Sequence, residues 1–412
     1  MVESTGGQNL DDLLGEFEDE TNEKEEKKED DAADPKVHKM QREGFKLTKD
    51  KDGNKVINDF LTIHEKIGSG GYCKVYRAEG VFPPEPPEYP DEERIPYALK
   101  QYERHALEKQ FVNVSRPALD GKPAASGMHR LKDVIMDEID AWSELKHTNI
   151  VKALTWFEHP SQDKMYLRMQ LADLGTIARS SAEDADQMLF NPNPKVYDVV
   201  LNKLNTNEEL KAENFGAECK SDKEKVFKFI FCQISEGLQY LHDNRVANRD
   251  LKPENMLFTT KEGGTDNRLY DRAQITDFTT AIKLPENNTD DFMITDSQGT
   301  KLFEAPECSQ GNPFRPKPLD IWAFGVSIYV MVFGRAPFGH KGITEAELTT
   351  EIREKDPVLD FDENPVSDEL KQLLTAMLTK DPASRPTIAQ CREYAWFKGL
   401  TGLKCNPGVY DV

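Results

Sequence analysis

Three short runs, in a fixed order, leave few folds open to this chain. Asp250-Leu251-Lys252-Pro253-Glu254-Asn255 comes first, Asp277-Phe278-Thr279 second and Ala305-Pro306-Glu307 third. Asp277 stands 22 positions after Asn255, just enough for a hairpin that returns both side chains to one cleft. Held that way, Asn255 and Asp277 offer a carboxamide and a carboxylate, oxygen donors of the kind a hard divalent cation takes. Any fold for the chain has to bring these groups together.

Strand-like runs precede the helical ones. Leu61 to Ile67, Lys74 to Ala78 and Pro96 to Tyr102 alternate in character, with glycines between the first two, and predict three strands of a small antiparallel sheet. Leu131, Ile135, Ile139 and Trp142 predict a helix over Leu131 to Leu145, followed by strands at Ile150 to Phe157 and Met165 to Leu171. The Pro-rich piece Val81 to Pro90 cannot pair as a strand, and Ser115 to Gly127 reads as a second Pro/Gly/Ala loop. Helical spacing resumes at Val226, Ile230, Ile234, Leu238 and Leu241, and recurs over Glu369 to Leu378 and Ile388 to Phe397. The stretch Leu319 to Phe333 is apolar all round, which implies a helix buried at the centre of a lobe. Strands first and helices after predict an α+β fold of two unlike lobes with a cleft between them, a β-rich lobe over 61–170 and a helical lobe over 173–397. An insertion of about 176–221 interrupts the second lobe without a predicted element.

The formal charge is −21, of which residues 1–35 account for −11 through 14 Asp/Glu against 3 Lys. The remainder is mildly acidic, which excludes nucleic acid as the main partner. Residues 1–40 hold too few large apolar groups to offset ordering entropy and are expected to be a disordered acidic tail, with 41–60 as an extension of the folded part and 398–412 as a short tail. Within the acidic tail, Leu10, Leu13, Leu14 and Phe17 share one helical face that would dock a partner protein; an unstructured acidic segment is the plain alternative. The six cysteines form no CxxC pair, so neither a zinc site nor a disulfide framework is indicated, and a reducing compartment, cytosol or nucleus, is expected. There is no apolar leader, and Ile321 to Phe333 is too short to span a bilayer, so no membrane partner is expected.

Two further runs complete the pattern. Ile67 leads into Gly68-Ser69-Gly70-Gly71-Tyr72-Cys73-Lys74-Val75, a strand-turn-strand whose glycines let backbone N–H groups approach phosphates. Tyr97-Ala98-Leu99-Lys100 puts a lysine on the third strand in a run that resembles the V-A-I-K of protein kinases, and the resemblance implies a lysine that reaches nucleotide phosphates when a carboxylate holds it, with Glu138 the best candidate.

Together these runs resemble eukaryotic-type protein kinases over roughly residues 60–400. The resemblance implies that Asp250 accepts or orients the substrate hydroxyl proton, that Lys252 neutralises the γ-phosphate, and that Asn255 and Asp277 hold Mg²⁺ on ATP. It makes Met169 the gatekeeper, Gln170 and Ala172 part of the hinge on adenine, and Val75, Ala98 and Leu257 the walls around the base. Lysine at 252 indicates serine/threonine specificity and a protein substrate. Glu307 is expected to pair with Arg385 as a buried structural pair, and Asp320 to anchor the catalytic loop. Arg249 implies an activation segment ordered by phosphate on Thr295 or Ser297, with Asp290, Asp291 and Asp296 as another source of that charge.

Three positions depart from the family pattern: Cys73 replaces the third glycine of the loop, Asn248 the usual histidine, and Thr279 the glycine of D-F-G. If position 279 needs a left-handed backbone, threonine costs roughly 1–2 kcal/mol. A lost catalytic base costs about 10²–10⁴-fold in rate, so the departures should tune activity without abolishing it. The nearest subfamily resemblance is to the calcium/calmodulin-dependent protein kinase kinases, carried by Glu138-Ile139, His147-Thr148-Asn149-Ile150-Val151, the Arg116-Pro117 loop and Leu319-Asp320-Ile321-Trp322-Ala323-Phe324-Gly325. No basic amphipathic helix follows Phe397, so calmodulin control is not expected. Two functional readings stay open: an active kinase, an upstream member of a signalling cascade, or a weakly active or inactive kinase-fold scaffold that binds nucleotide and partner proteins.

Overall fold

The computed structural model describes residues 41–80, 95–116, 125–181, 189–212, 214–260, 271–286, 292–340 and 342–398. The acidic tail with its Leu10 to Phe17 face, the connection Val81 to Pro90, Thr289, Asp290 and Asp291, and residues 399–412 lie outside them.

Period-two alternation builds the first lobe. Its elements are β1 (Gln41–Glu43), β2 (Leu47–Lys49), β3 (Lys55–Ile57), β4 (Leu61–Ser69), β5 (Cys73–Gly80), β6 (Ile95–Glu103), α1 (Arg104–Lys109), β7 (Phe111–Arg116), β8 (Ala125–Arg130), α2 (Leu131–Ser143), β9 (Ala153–Phe157) and β10 (Lys164–Gln170). Eight strands among the described residues form one sheet in the order β1-β9-β10-β6-β5-β4-β3-β2. The expected strands β4, β5 and β6 lie within it. Residues 41–60, expected only as an extension, contribute β1, parallel to β9, and a β2–β3 hairpin laid on β4.

One face of the sheet buries Ile57, Leu61, Tyr97, Leu99 and Tyr166 in a core of its own. The other face carries Val75 opposite Lys100, and Ala98 opposite Met169. Ala98 and Met169 share a core with Ile135, Ile139 and Trp142 of α2. A one-residue slip would turn Lys100 away from this face, so strand register sets the site.

The stretch Ser115 to Gly127 is not simply a loop. β7 and β8 pair antiparallel from Phe111↔Arg130 to Arg116↔Ala125. Val112 and Val114 alternate with Phe111 and Asn113, and Val114 is buried while Phe111 is exposed. The Pro/Gly/Ala composition of the tip hid that short alternation.

The second lobe runs through β11 (Gly175–Thr176), β12 (Ala178–Ser181), β13 (Leu189–Pro192), α3 (Pro194–Thr206), α4 (Glu208–Ala212), α5 (Asp222–Asp243), β14 (Val246–Ala247), β15 (Met256–Thr259), β16 (Arg272–Ile275), β17 (Ile282–Lys283), α6 (Pro316–Phe333), α7 (Glu345–Glu354), α8 (Asp368–Met377) and α9 (Ile388–Arg392). Within the insertion, β12 pairs with β13, and α3 starts at Asn193, whose side chain accepts from Lys195 N, with Pro194 at the first helical position. Every residue of α6 from Leu319 to Phe333 is buried, as its all-round apolarity predicts. The helix ends at Gly334 in the left-handed region, φ +75°, which a side chain would strain. The two lobes are thus those of the expected α+β kinase-type fold. No helix among the described residues is long and apolar enough to cross a membrane.

Candidate active site

The β15–β16 hairpin pairs Met256 with Ile275, so Asn255 and Asp277 leave its open end side by side. Asp320, at the buried start of α6, fixes the loop before it. Its Oδ2 accepts from Asn248 N at 2.9 Å and lies 2.8 Å from His242 Nε2, and its Oδ1 accepts from Arg249 N at 2.7 Å. Arg249 takes a left-handed backbone, φ +66°.

Asp250 is enclosed by donors. Lys252 Nζ donates to its Oδ2 at 2.7 Å and Asn255 Nδ2 to the same oxygen at 3.0 Å. Thr300 N and Oγ1 donate to Oδ1 at 3.0 and 2.8 Å. Lys252 Nζ also reaches Thr300 Oγ1 at 2.6 Å. A hydroxyl bridging the aspartate and the lysine is the arrangement a phospho-acceptor would need. Gly299 makes it possible: a Cβ there would lie 2.6 Å from Arg249 O.

Asp277 has φ +59° and accepts from Lys100 Nζ at 2.9 Å and from Thr279 Oγ1 at 3.1 Å, both on Oδ1. Burial works against the charge on Lys100, and Asp277 beside it overrides that, leaving the ammonium's pKa above its ordinary value. The Asp277 carboxyl mirrors it: burial pushes it up, Lys100 outweighs burial, and the net shift is downward. Both groups are therefore charged near neutral pH.

The expected Lys100–Glu138 pair is replaced here by Lys100–Asp277. Glu138 is buried on α2 with Oε2 lacking a hydrogen-bond partner. Burial, with Asp277 adding to it, pushes its pKa well up. Of the two carboxylates that feel the charge of Lys100, the one on the left-handed Asp277 holds it.

The three departures from the family pattern are each accommodated. Position 279 does not adopt a left-handed backbone; among nearby residues Arg249 and Asp277 do. The strain expected of Thr279 does not arise, and its hydroxyl instead holds Asp277. Asn248 accepts from Asp250 N at 3.1 Å and donates to Asp277 O at 3.3 Å, linking the two loops through a carboxamide that both gives and takes hydrogen bonds. Phe278 packs on Trp142 with ring centroids 5.1 Å apart. At Cys73, the turn still closes through Gly70 N donating to Cys73 O at 2.9 Å.

The remaining expected positions fall around the same cleft face or brace it. Ile67 and Tyr72 are exposed at the glycine-rich turn, where a Cβ on Gly71 would meet nothing within 4 Å, and Ser69 closes β4. Val75 and Leu257 are half-buried, while Ala98, Met169 and Ala172 are buried. Gln170 ends β10, its N donating to Lys152 O at 3.0 Å. Far from the chemistry, Arg385 grips Glu307 bidentately at 2.8 and 3.1 Å and also donates to Pro318 O at 2.7 Å.

Arg249 already has an acidic partner. Its Nη1 donates to Asp296 Oδ2 at 3.1 Å, both side chains being buried, and its Nε to Thr280 O at 2.5 Å. Of the two expected sources of charge for Arg249, phosphate on Thr295 or Ser297 and a nearby acid, the chain without added phosphate uses the acid: Thr295 is exposed, the Ser297 hydroxyl lies on Glu304, and the carboxylate between them occupies the guanidinium. The sequence pointed to Asp296 only as one of three acids, and it gave no sign of Ser115, whose N donates to Asp296 Oδ1 at 2.8 Å. The alternation Phe111-Val112-Asn113-Val114 was the signal that could have found that strand.

These donors suit a metal–nucleotide substrate. Asn255 spends Nδ2 on Asp250, which leaves its side-chain oxygen as the atom that could ligate a cation. Among the described residues no group of three or more His, Cys, Asp or Glu could hold a metal by itself. One carboxylate with one carboxamide fits an ion that keeps phosphate oxygens and water as its other ligands.

An aspartate braced by a lysine, a carboxylate and a carboxamide at the ends of one strand pair and a strand lysine on that carboxylate form the arrangement expected of a phosphoryl-transfer site on a two-lobed fold. The chain belongs to the protein kinase domain family, whose model matches residues 122–397. It is 26% identical over 350 residues to a probable serine/threonine-protein kinase of Dictyostelium discoideum, covering 84% of this chain and 39% of that one. It is also 26% identical over 363 residues to serine/threonine-protein kinase GRIK1 of Arabidopsis thaliana, with 88% and 72% covered. A calcium/calmodulin-dependent protein kinase, cmkA, of Emericella nidulans is 29% identical over 271 residues, with 65% and 53% covered. The chain therefore spans well under half of the Dictyostelium relative and about half of the Emericella one.

Proposed function

We propose that this protein is a serine/threonine kinase that moves the γ-phosphoryl group of Mg·ATP to a protein hydroxyl. One observation carries the reading: Lys100, Asp250, Asn255 and Asp277 converge on one cleft within hydrogen-bond distance of one another or of shared partners. In the reaction the acceptor oxygen bonds to the γ-phosphorus as the bond from that phosphorus to the β–γ bridging oxygen breaks, and ADP leaves. Asp250 takes the hydroxyl proton. Lys252, 2.7 Å from Asp250, offsets charge on the transferring group. Lys100 turns from Asp277 to the phosphates and to Glu138, the buried carboxylate whose Oε2 has no hydrogen-bond partner. A Mg²⁺ held by Asp277 and Asn255 would neutralise phosphate charge.

An upstream place in a signalling cascade, of the calcium/calmodulin-dependent protein kinase kinase type, is supported by the quoted runs around Glu138 and Asp320. Cytosol or nucleus fits the cysteine usage, and the acidic tail is proposed to dock a partner. The scaffold reading rested on Cys73, Asn248 and Thr279, and each is accommodated in the site. Purified protein should label a generic protein substrate from γ-labelled ATP, and Asp250→Asn should lower kcat by about 10²–10⁴-fold. Nucleotide binding with no turnover, unaffected by Asp250→Asn, would establish the scaffold instead.

A further inference from the structure

Hairpin β7–β8 enters α2 directly, its base closed by Leu131 N donating to Gln110 O at 2.9 Å, and its first strand lies against the activation segment. Ser115 N donates to Asp296 Oδ1 at 2.8 Å, Thr295 N to Ser115 Oγ at 3.2 Å, and Gln298 Nε2 to Asn113 O at 2.8 Å. Asp296 Oδ2 accepts from Arg249, the residue just before the catalytic aspartate. Ser115, Asp296 and Arg249 are 3%, 6% and 9% exposed. One buried carboxylate thus joins the hairpin, the activation segment and the catalytic loop.

An arginine at this place is where an added phosphate ordinarily supplies charge to an activation segment. A phosphate brings about −1.5 to −2 charge and three acceptor oxygens; a carboxylate brings one charge and two. The hairpin makes up part of that difference, because Ser115 N fills the second Asp296 oxygen while Ser115 Oγ and Asn113 O hold the segment on either side.

Building on the kinase reading, we propose that Asp296 is a positioning residue that orders the activation segment and catalytic loop without phosphorylation, with the β7–β8 hairpin as the strap that lets a single carboxylate suffice. The strap also ties that order to α2, and so to Glu138.

The test uses the full chain and two readouts: steady-state phosphotransfer, and hydrogen exchange of residues 292–303. Phosphatase-treated wild type should keep kcat within about twofold and keep its exchange protection, as should the double variant Thr295→Ala, Ser297→Ala. Asp296→Asn should lower kcat by about 10–100-fold, the scale of a misplaced catalytic group, with KM for ATP changed far less, and should raise exchange across 292–303. Asp296→Glu should recover part of both losses. Ser115→Ala, which keeps the N–H on Asp296 but removes the acceptor for Thr295 N, should raise exchange around Thr295 several-fold. Loss of turnover and protection on phosphatase treatment, or an Asp296→Asn variant matching wild type in both readouts, overturns the proposal. A wild type without any phosphotransfer refutes the kinase reading, and the exchange comparison then decides the ordering role of Asp296 by itself.

Discussion

Replacing Glu138 by glutamine should stabilise the nucleotide-free protein and impair it as an enzyme. Glu138 is 7% exposed with Oε2 unpartnered, while the two cations whose charge reaches it are held elsewhere, Arg249 by Asp296 at 3.1 Å and Lys100 by Asp277 at 2.9 Å. A buried polar group without a partner costs about 1–3 kcal/mol, and more when charged; a neutral amide relieves the charged part. At roughly 2–4 °C per kcal/mol for a large domain, a gain of about 1–2 kcal/mol raises Tm by about 2–8 °C. Because burial raises the folded-state pKa of this carboxyl, its contribution is intact below the unfolded value of 4.5 and is lost as pH rises through the folded one. The Tm gain should therefore be larger at pH 8 than at pH 5. Turnover should fall, because Lys100 loses the carboxylate that receives it once Asp277 serves the metal; about 10–100-fold in kcat/KM is the scale for a displaced positioning group. Scanning calorimetry at the two pH values, beside a labelled-ATP assay, reads all three effects. A lower Tm for Glu138→Gln at pH 8, or a shift equal at both pH values, would show that the carboxylate is paired and the reasoning wrong.

Two other outcomes follow from the geometry. Arg385→Leu removes a guanidinium whose side chain is fully buried and leaves Glu307 uncompensated; breaking such a pair costs about 3–5 kcal/mol, so Tm should drop by roughly 6–20 °C, and a drop under about 3 °C would contradict the buried pairing. Gly299→Ala forces a Cβ to 2.6 Å from Arg249 O, pushing the activation segment off the catalytic loop; kcat should fall by about 10²-fold with little change in Tm, and an unchanged kcat would mean the two segments part during turnover.

Much of the site could be read from the chain because its parts are local runs with fixed offsets. Asn255 and Asp277 flank two paired strands, Met256–Thr259 and Arg272–Ile275, Leu319 to Phe333 is a buried helix, and Lys100 lies on a strand whose alternation is visible. The extra strands of 41–60 and the β7–β8 pair were not legible: each strand is short, and each gains its stability from neighbours distant in sequence, as Gln41 does from Thr155 and Ser115 from Asp296.

Residue types and their order determined the lobes, the proton acceptor and the donors for a cation, since those follow from periodicity and side-chain chemistry. Tertiary structure alone decided how the charges pair. Lys100 sits between two carboxylates and Arg249 had three acids to choose from, and a local pattern cannot rank such partners, because Coulomb attraction and desolvation depend on distances that only the folded chain sets.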